Sequence, residues 1–198
     1  MKENEVRVIQ KDAIDGLGIT AKRCMEWIEE SFRLKPSAVL PPKTSIHPQG
    51  DDFFNSMPCL LPPEYGRYCI KVVHRIEGAT PALGGDILLY DSRNGRLLAL
   101  LDGDWITAMR TGAVAALACR LLEKKGVDSY SIMGLGNTGR ATALCLAADH
   151  PGRPILFRLL RYKDQAEDFV RRLGGVPGVS FRIVDTMDEF SAGADVVV

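Results

Sequence analysis

The stretch Tyr130-Ser131-Ile132-Met133-Gly134-Leu135-Gly136-Asn137-Thr138-Gly139-Arg140-Ala141 decides the fold. Tyr130 to Met133 read as a short apolar strand, which runs into a Gly-x-Gly-x-x-Gly loop and then into a helical pattern from Thr138 to Ala148. Each glycine has a physical task in that setting. The first permits a tight turn, the second lets a pyrophosphate approach the backbone, and the third lets helix and strand pack closely. The phosphates are held by free N–H groups at the helix N-terminus. Gly134, Gly136, Asn137, Thr138 and Gly139 therefore read as contacts to a dinucleotide cofactor, against the alternative of a glycine-rich turn used only for packing.

Downstream, the pattern continues as a strand (Ile155 to Leu160), a helix (Gln165 to Leu173), a strand (Val179 to Val184), a short helix and a strand from Asp195 onward. Such alternation predicts a doubly wound parallel sheet of the Rossmann type. A dinucleotide fold needs about six strands, and four are read here before the sequence stops within Ala194-Asp195-Val196-Val197-Val198, so the sheet reads as truncated. An NAD-preferring site carries an acidic residue near the end of the second strand for the ribose hydroxyls. Between Asp149 and Asp164 there is no carboxylate, whereas Arg158, Arg161 and Lys163 are basic. Arg161, just past the strand end, is placed to meet a 2′-phosphate, which favours NADP(H) and leaves NAD(H) possible. The alternative is a set of solvated loop cations.

Upstream, the texture changes at Glu123-Lys124-Lys125-Gly126, where Lys followed by Gly stops a helix. Residues 1–126 are accordingly read as a substrate-binding and dimerisation domain of α+β type, and residues 127–198 as the NAD(P)-binding domain. The first contains a strand at Val6 to Ile9, a helix from a capping Thr20 to Phe32, and apolar runs at Ala38 to Leu40, Met57 to Leu61, Tyr68 to Val73, Ile87 to Tyr90 and Leu97 to Leu101. Asp91-Ser92-Arg93-Asn94-Gly95 between the last two predicts a hairpin. In the helix from Trp105 to Lys125, Arg110 falls within the stripe of Ile106, Ala113, Leu117 and Leu121. A cation there snorkels, pairs with a carboxylate or binds an incoming anion. Lys71 stands in the apolar run Ile70-Lys71-Val72-Val73, either as an edge-strand lysine or as a ligand. Lys43 and His47 lie in an extended proline-bounded segment and belong to a site wall or to nothing.

Lys and Arg total 25 and so do Asp and Glu, a formal net charge of zero, which supplies no global field for nucleic acid or an anionic membrane. A small polar metabolite is the more natural partner. The five cysteines are scattered and form no C-x-x-C pair, which argues against a disulfide framework and a zinc site and for a reducing cytoplasm. No uncharged stretch reaches the roughly 18 apolar residues of a membrane span, and nothing at the N-terminus reads as an export signal. The histidines are far apart, so no metal site is expected, and no Ser/His/Asp or Cys/His set declares itself.

Pro41-Pro42-Lys43, Ile70-Lys71-Val72, Leu101-Asp102-Gly103, Ile106-Thr107-Ala108-Met109-Arg110-Thr111-Gly112-Ala113 and Gly134-Leu135-Gly136, in this order, resemble the ornithine cyclodeaminase/mu-crystallin family. The resemblance implies a homodimer whose N-terminal domain binds substrate and whose Rossmann domain holds NAD or NADP. It implies oxidation, reduction or deamination at the C–N bond of a small amino or cyclic imino acid, by a cyclodeaminase (a lyase) or an NADPH-dependent ketimine reductase. It marks Arg110 as the ligand of the substrate carboxylate, Lys71 as the catalytic group at the reacting centre, Lys43 as a further carboxylate ligand and Thr111 as a cofactor contact. The catalytic aspartate that it implies falls beyond Val198. The rival to an enzyme is a non-catalytic, crystallin-like nucleotide-binding protein, against which the retained Lys71 and Arg110 speak.

Overall fold

The computed structural model describes residues 5–198. The chain forms two compact units, one of residues up to Gly18 with Glu30–Thr107, the other of Ile19–Glu29 with Ala108–Val198. The parallel sheet begins just after the change of texture at residue 126, and compactness groups the preceding long helix with it.

The first unit is built on a six-stranded sheet in the order β1-β6-β5-β4-β3-β2, from β1 (Arg7–Ile9), β2 (Thr44–Ile46), β3 (Phe53–Leu60), β4 (Arg67–Arg75), β5 (Leu83–Asp91) and β6 (Leu97–Asp102). All neighbours are antiparallel except β1 and β6. The expected hairpin joins β5 to β6. Gly95 takes φ +75°, the left-handed region that its position in the turn requires, and its N–H bonds the Asp91 carbonyl at 2.9 Å. The sequence reading missed three elements here. Thr44–Ile46, in the extended segment read as a site wall or as nothing, adds an edge strand, Lys11–Asp15 makes a one-turn helix, α1, and Lys35–Ser37 makes a 3-10 turn. Ala38 to Leu40 contributes only a single bridge, Val39 to Leu60.

Side chains alternate across this sheet. Asn55, Val73 and Ala99 are buried on one face, while Pro58, Ile70, Leu88 and Leu100 form a half-buried apolar row on the other. The helix α2 (Ala21–Leu34) starts at Thr20, whose Oγ1 accepts the Arg23 N–H at 3.2 Å, the N-cap expected from sequence.

In the second unit, α3 (Asp104–Leu122) buries Met109, Gly112, Ala113, Ala116, Leu117 and Cys119. This helix is long and apolar enough to cross a membrane by length and composition, but those six residues serve as the packed face of a core helix. Leu121, expected on that face, is 79% exposed, because the true stripe runs through Met109, Gly112 and Ala116 instead. The parallel sheet follows in the order β10-β7-β8-β9, from β7 (Ser129–Ile132), β8 (Ile155–Leu160), β9 (Val179–Val184) and β10 (Val196–Val197). Its helices are α4 (Asn137–Asp149), α5 (Gln165–Leu173) and α6 (Met187–Ser191). β7 lies between β8 and β10, so the strand order reverses at its C-terminal end, the point where open parallel sheets bind ligands.

Candidate functional site

The glycine loop follows β7 at that reversal. Gly134 has φ +87°, as its turn demands. A Cβ on Gly139 would lie 2.2 Å from the Gly134 carbonyl oxygen, so only glycine lets α4 approach its own entry loop. Around Gly136 there is nothing within 4 Å of where a Cβ would stand. Gly136 caps α4 in extended backbone without a side-chain hydrogen bond, which leaves first-turn amides for an anion. All three tasks read from the sequence are therefore present, and the residues fit a dinucleotide pyrophosphate. Asn137 is held at one end, its Oδ1 accepting the Arg172 guanidinium at 3.1 Å.

Beside the loop, a cavity of about 250 Å³ is lined by Ile132, Met133, Leu135, Leu160, Tyr162 and Gln165. It sits at the C-terminal ends of β7 and β8 and suits a flat, largely apolar ring. Sequence reading did not single these residues out; the signal was their position at the ends of the two strands that flank the loop. Arg140 was missed too. Its Nε is buried and has no hydrogen-bond partner among the described residues, one helical turn inside α4.

Arg161 is not the unpaired cation that the sequence suggested. Its Nε donates to Asp185 Oδ1 at 2.7 Å, and its Nη1 is paired with Glu167. Both acids lie outside the carboxylate-free stretch from Asp149 to Asp164, Asp185 just past the end of β9 and Glu167 in α5. A 2′-phosphate at this point must compete with two carboxylates already in place.

In the first unit, Met57 lies opposite Lys71, and Lys71 opposite Ile87. Continuing the β2–β3 register by one residue sets Lys43 against Met57. Lys43, Met57 and Lys71 thus form one row across three strands, with Cys59 and Cys69 opposite each other in the next row on the same face. Lys71 is half-buried and its charge acts on the Cys69 thiol. His47 is used locally, its Nδ1 at 3.0 Å from the Asp52 carbonyl oxygen. The second unit carries Arg110 and Thr111 on α3. Arg110 lies at the margin of the buried stripe and is exposed, yet its surroundings desolvate the guanidinium enough to lower its pKa. No carboxylate pairs with it among the described residues. Of the three roles open to it, the structural ion pair is the one missing among the described residues; snorkelling and the binding of an incoming anion both fit an exposed guanidinium.

Family comparisons meet this geometry. The profile of the Ornithine cyclodeaminase/mu-crystallin family matches residues 5–198. The chain belongs to that family. It is 33% identical over 132 residues to the ketimine reductase mu-crystallin of Mus musculus, covering 65% of this chain and 41% of that one. It is 37% identical over 93 residues to the L-lysine cyclodeaminase of Streptomyces rapamycinicus, covering 47% and 27%. The chain thus spans less than half the length of these curated relatives.

Among solved structures of similar fold, Thermococcus litoralis Δ1-pyrroline-2-carboxylate reductase, in complex with NADH and L-proline, has a TM-score of 0.82 at 25% identity, with 97% of this chain and 61% of that one covered. An archaeal alanine dehydrogenase dimer with bound NAD has a TM-score of 0.81 at 22% identity, with 94% and 57% covered. The family's mixed α/β architecture with a Rossmann-type sheet is the architecture described above.

Proposed function

We propose that the protein acts with NAD(P) on the C–N bond of a small amino or cyclic imino acid, as an ornithine cyclodeaminase or a ketimine reductase does. The observation that carries this reading is Arg110: a cation drawn partly out of water, without an acidic partner among the described residues, on the helix that precedes a dinucleotide-type loop. Such a group is suited to an anion that arrives from outside. When bound, the cofactor supplies hydride exchange at its nicotinamide ring. Gly134 to Gly139 hold its phosphates through main-chain amides, and the slot of Met133, Leu160 and Tyr162 takes its adenine. Arg110 fixes the substrate carboxylate, with Lys43 as a second cation for it. Lys71 faces the reacting nitrogen and orients or moves a proton there.

The preference for NADP(H) is kept in a narrower form. A 2′-phosphate binds at Arg161 only by displacing Asp185 or Glu167, so NADPH gains little over NADH in the native chain. Glu167→Gln and Asp185→Asn then shift the ratio of NADPH to NADH affinity upward by a few-fold, the scale of an exposed ion pair. An unchanged ratio in both variants removes Arg161 from cofactor selection.

The half-buried row of Pro58, Ile70, Leu88 and Leu100 supports a homodimer, since a second copy can cover it. The five free cysteines fit a cytoplasmic setting.

The test of the activity is Arg110→Met, assayed with ornithine, lysine and cyclic imino acids in both redox directions. It is expected to leave the fold and NADH binding in place while weakening carboxylate binding by about 2–5 kcal/mol. A folded variant with unchanged substrate affinity overturns the reading.

A further inference from the structure

Two pairs of cysteines are close enough in this structure to influence each other. Cys24 and Cys145 are 5% and 0% exposed, sealed between helices of the second unit. Cys59 and Cys69 differ. They are Cα partners on β3 and β4, both half-exposed, and their thiols are hydrogen-bonded to each other. Two residues along the same ladder the Leu61 N–H donates to the Arg67 carbonyl at 3.0 Å. Because hydrogen-bonded pairs recur every second residue, Cys59 and Cys69 form such a pair too, with a Cα separation of about 5.5 Å. That spacing is inside the range a disulfide spans without backbone movement.

From this geometry we propose that Cys59 and Cys69 are a reversible redox site, a dithiol that closes to a cross-strand disulfide on reaction with a small-molecule disulfide, one row away from Lys71. The thiolate of Cys59 attacks one sulfur of the small disulfide RSSR; the S–S bond of RSSR breaks, one RS⁻ leaves and takes up a proton, and a mixed disulfide forms. The Cys69 thiol, losing its proton, then attacks the Cys59 sulfur and expels the second RS⁻. In total one protein dithiol and one RSSR give one protein disulfide and two RSH: the protein sulfurs are oxidised by two electrons and RSSR is reduced by two.

The environment divides the roles. Burial raises both thiols, but the hydrogen bond with Cys69 favours the Cys59 thiolate, while Cys69 is pushed up to about 11 by burial and by its neighbour. Cys59 is therefore the attacking thiol and Cys69 the resolving one, and the exchange is slow at neutral pH and faster in mild alkali. The position next to Lys71 makes the site a control on substrate binding, a consequence that rests on the function proposed above; the chemistry of the pair does not.

The experiment is to incubate the protein with oxidised glutathione at pH 7 and pH 8.5, quench with acid, and read intact mass and peptide maps. The expected result is loss of two mass units, a Cys59–Cys69 linked peptide, faster formation at the higher pH, and full reversal by a dithiol reductant. Cys69→Ser is expected to stop at a stable single glutathione adduct on Cys59, and Cys59→Ser to accumulate much less adduct. Failure of the linked peptide to form while Cys59 takes up glutathione in the unmodified protein overturns the proposal, as does a linkage that joins other cysteines. Affinity for a cyclic imino acid in the two redox states is read separately. If the disulfide forms and affinity does not change, the redox site stands and its link to a Lys71 substrate site is refuted.

Discussion

β7 and β8 contrast with β3 and β4. Tyr130, Phe157 and Leu159 are 0% exposed and Ile132 is 1%, whereas β3 and β4 have no fully buried residue and Val73 is 7% exposed. β7, buried along its whole length, has no room for a charged side chain, and β8 carries one, Arg158, on its half-buried side, so this end of the parallel sheet offers its chemistry through main-chain amides at the strand ends. The less deeply buried antiparallel sheet can carry a lysine among apolar neighbours, as it does at Lys71, half-buried on the same face as Asn55 and Val73. Binding by backbone fails when a Cβ is added; binding by side chain fails when a charge is removed. The substitutions below press on that difference.

The largest effect is expected for glycine. Gly139→Ala puts a Cβ 2.2 Å from the Gly134 carbonyl oxygen, and Gly112→Ala puts one 2.4 Å from the Ala141 carbonyl carbon, backbone atoms that cannot turn aside. Each is expected to cost about 3 kcal/mol and lower the melting temperature by about 10 °C. Calorimetry showing an unchanged transition breaks the contrast at its root. Next is the buried network under β7, where the Tyr130 hydroxyl donates to Glu123 Oε2 at 2.7 Å and the other carboxylate oxygen lies 3.1 Å from His150 Nε2. Tyr130→Phe leaves a buried carboxylate short of a donor, at about 1–3 kcal/mol in denaturant unfolding. Thr186 caps α6, accepting the Glu189 N–H at 3.2 Å, while Glu189 Oε2 accepts the Asp185 N–H. Thr186→Ala is expected to cost about 1 kcal/mol in the same measurement.

A fourth effect appears only in acid. The Ser129 hydroxyl and the amides of Asp128 and Ser129 hold the Asp195 carboxyl below its ordinary value. This contribution to stability is present above the unfolded carboxylate value near pH 4 and is lost as pH falls through the lower folded-state value. Asp195→Asn is expected to lower the neutral plateau and leave stability in strong acid nearly unchanged, so that the acid limb flattens. Smallest for stability is Lys43→Gln. Lys43 is exposed, and its loss is expected to move stability by less than about 0.5 kcal/mol while weakening binding of the acid substrate. A large loss of stability makes Lys43 structural and removes it from the site.

The parallel unit was nearly fully legible. Ile155–Leu160, Gln165–Leu173 and Val179–Val184 fall where the pattern placed them, because two short, largely apolar runs flank an amphipathic helical segment and turn residues separate the three. The antiparallel unit was legible in type and less so in extent. β3 begins at Phe53 and β5 at Leu83, several residues before the apolar runs that announced them, because polar residues continue both strands: Asn55, buried with the Ser45 hydroxyl donating to its Oδ1, and Asp86, exposed. Within the site, a local spacing showed the glycine loop. The pairing of Arg161 was hidden because Asp185 reaches it from the next strand, which no window around Arg161 contains. The row of Lys43 and Lys71 was equally hidden, since it depends on the register of three strands.

That row has a consequence for salt. Strands are spaced about 4.8 Å apart, so the main-chain positions of Lys43 and Lys71 are roughly 10 Å from each other, close to the Debye length of about 10 Å in 0.1 M salt. Two ammonium groups tethered at that distance repel each other until an anion bridges them. Occupancy of this face is therefore a competition among anions: chloride screens it, while sulfate or phosphate, carrying two charges, can span it. An acid substrate measured in phosphate buffer will bind more weakly than in a zwitterionic buffer of equal ionic strength, and a dicarboxylate will resist the difference better than a monocarboxylate.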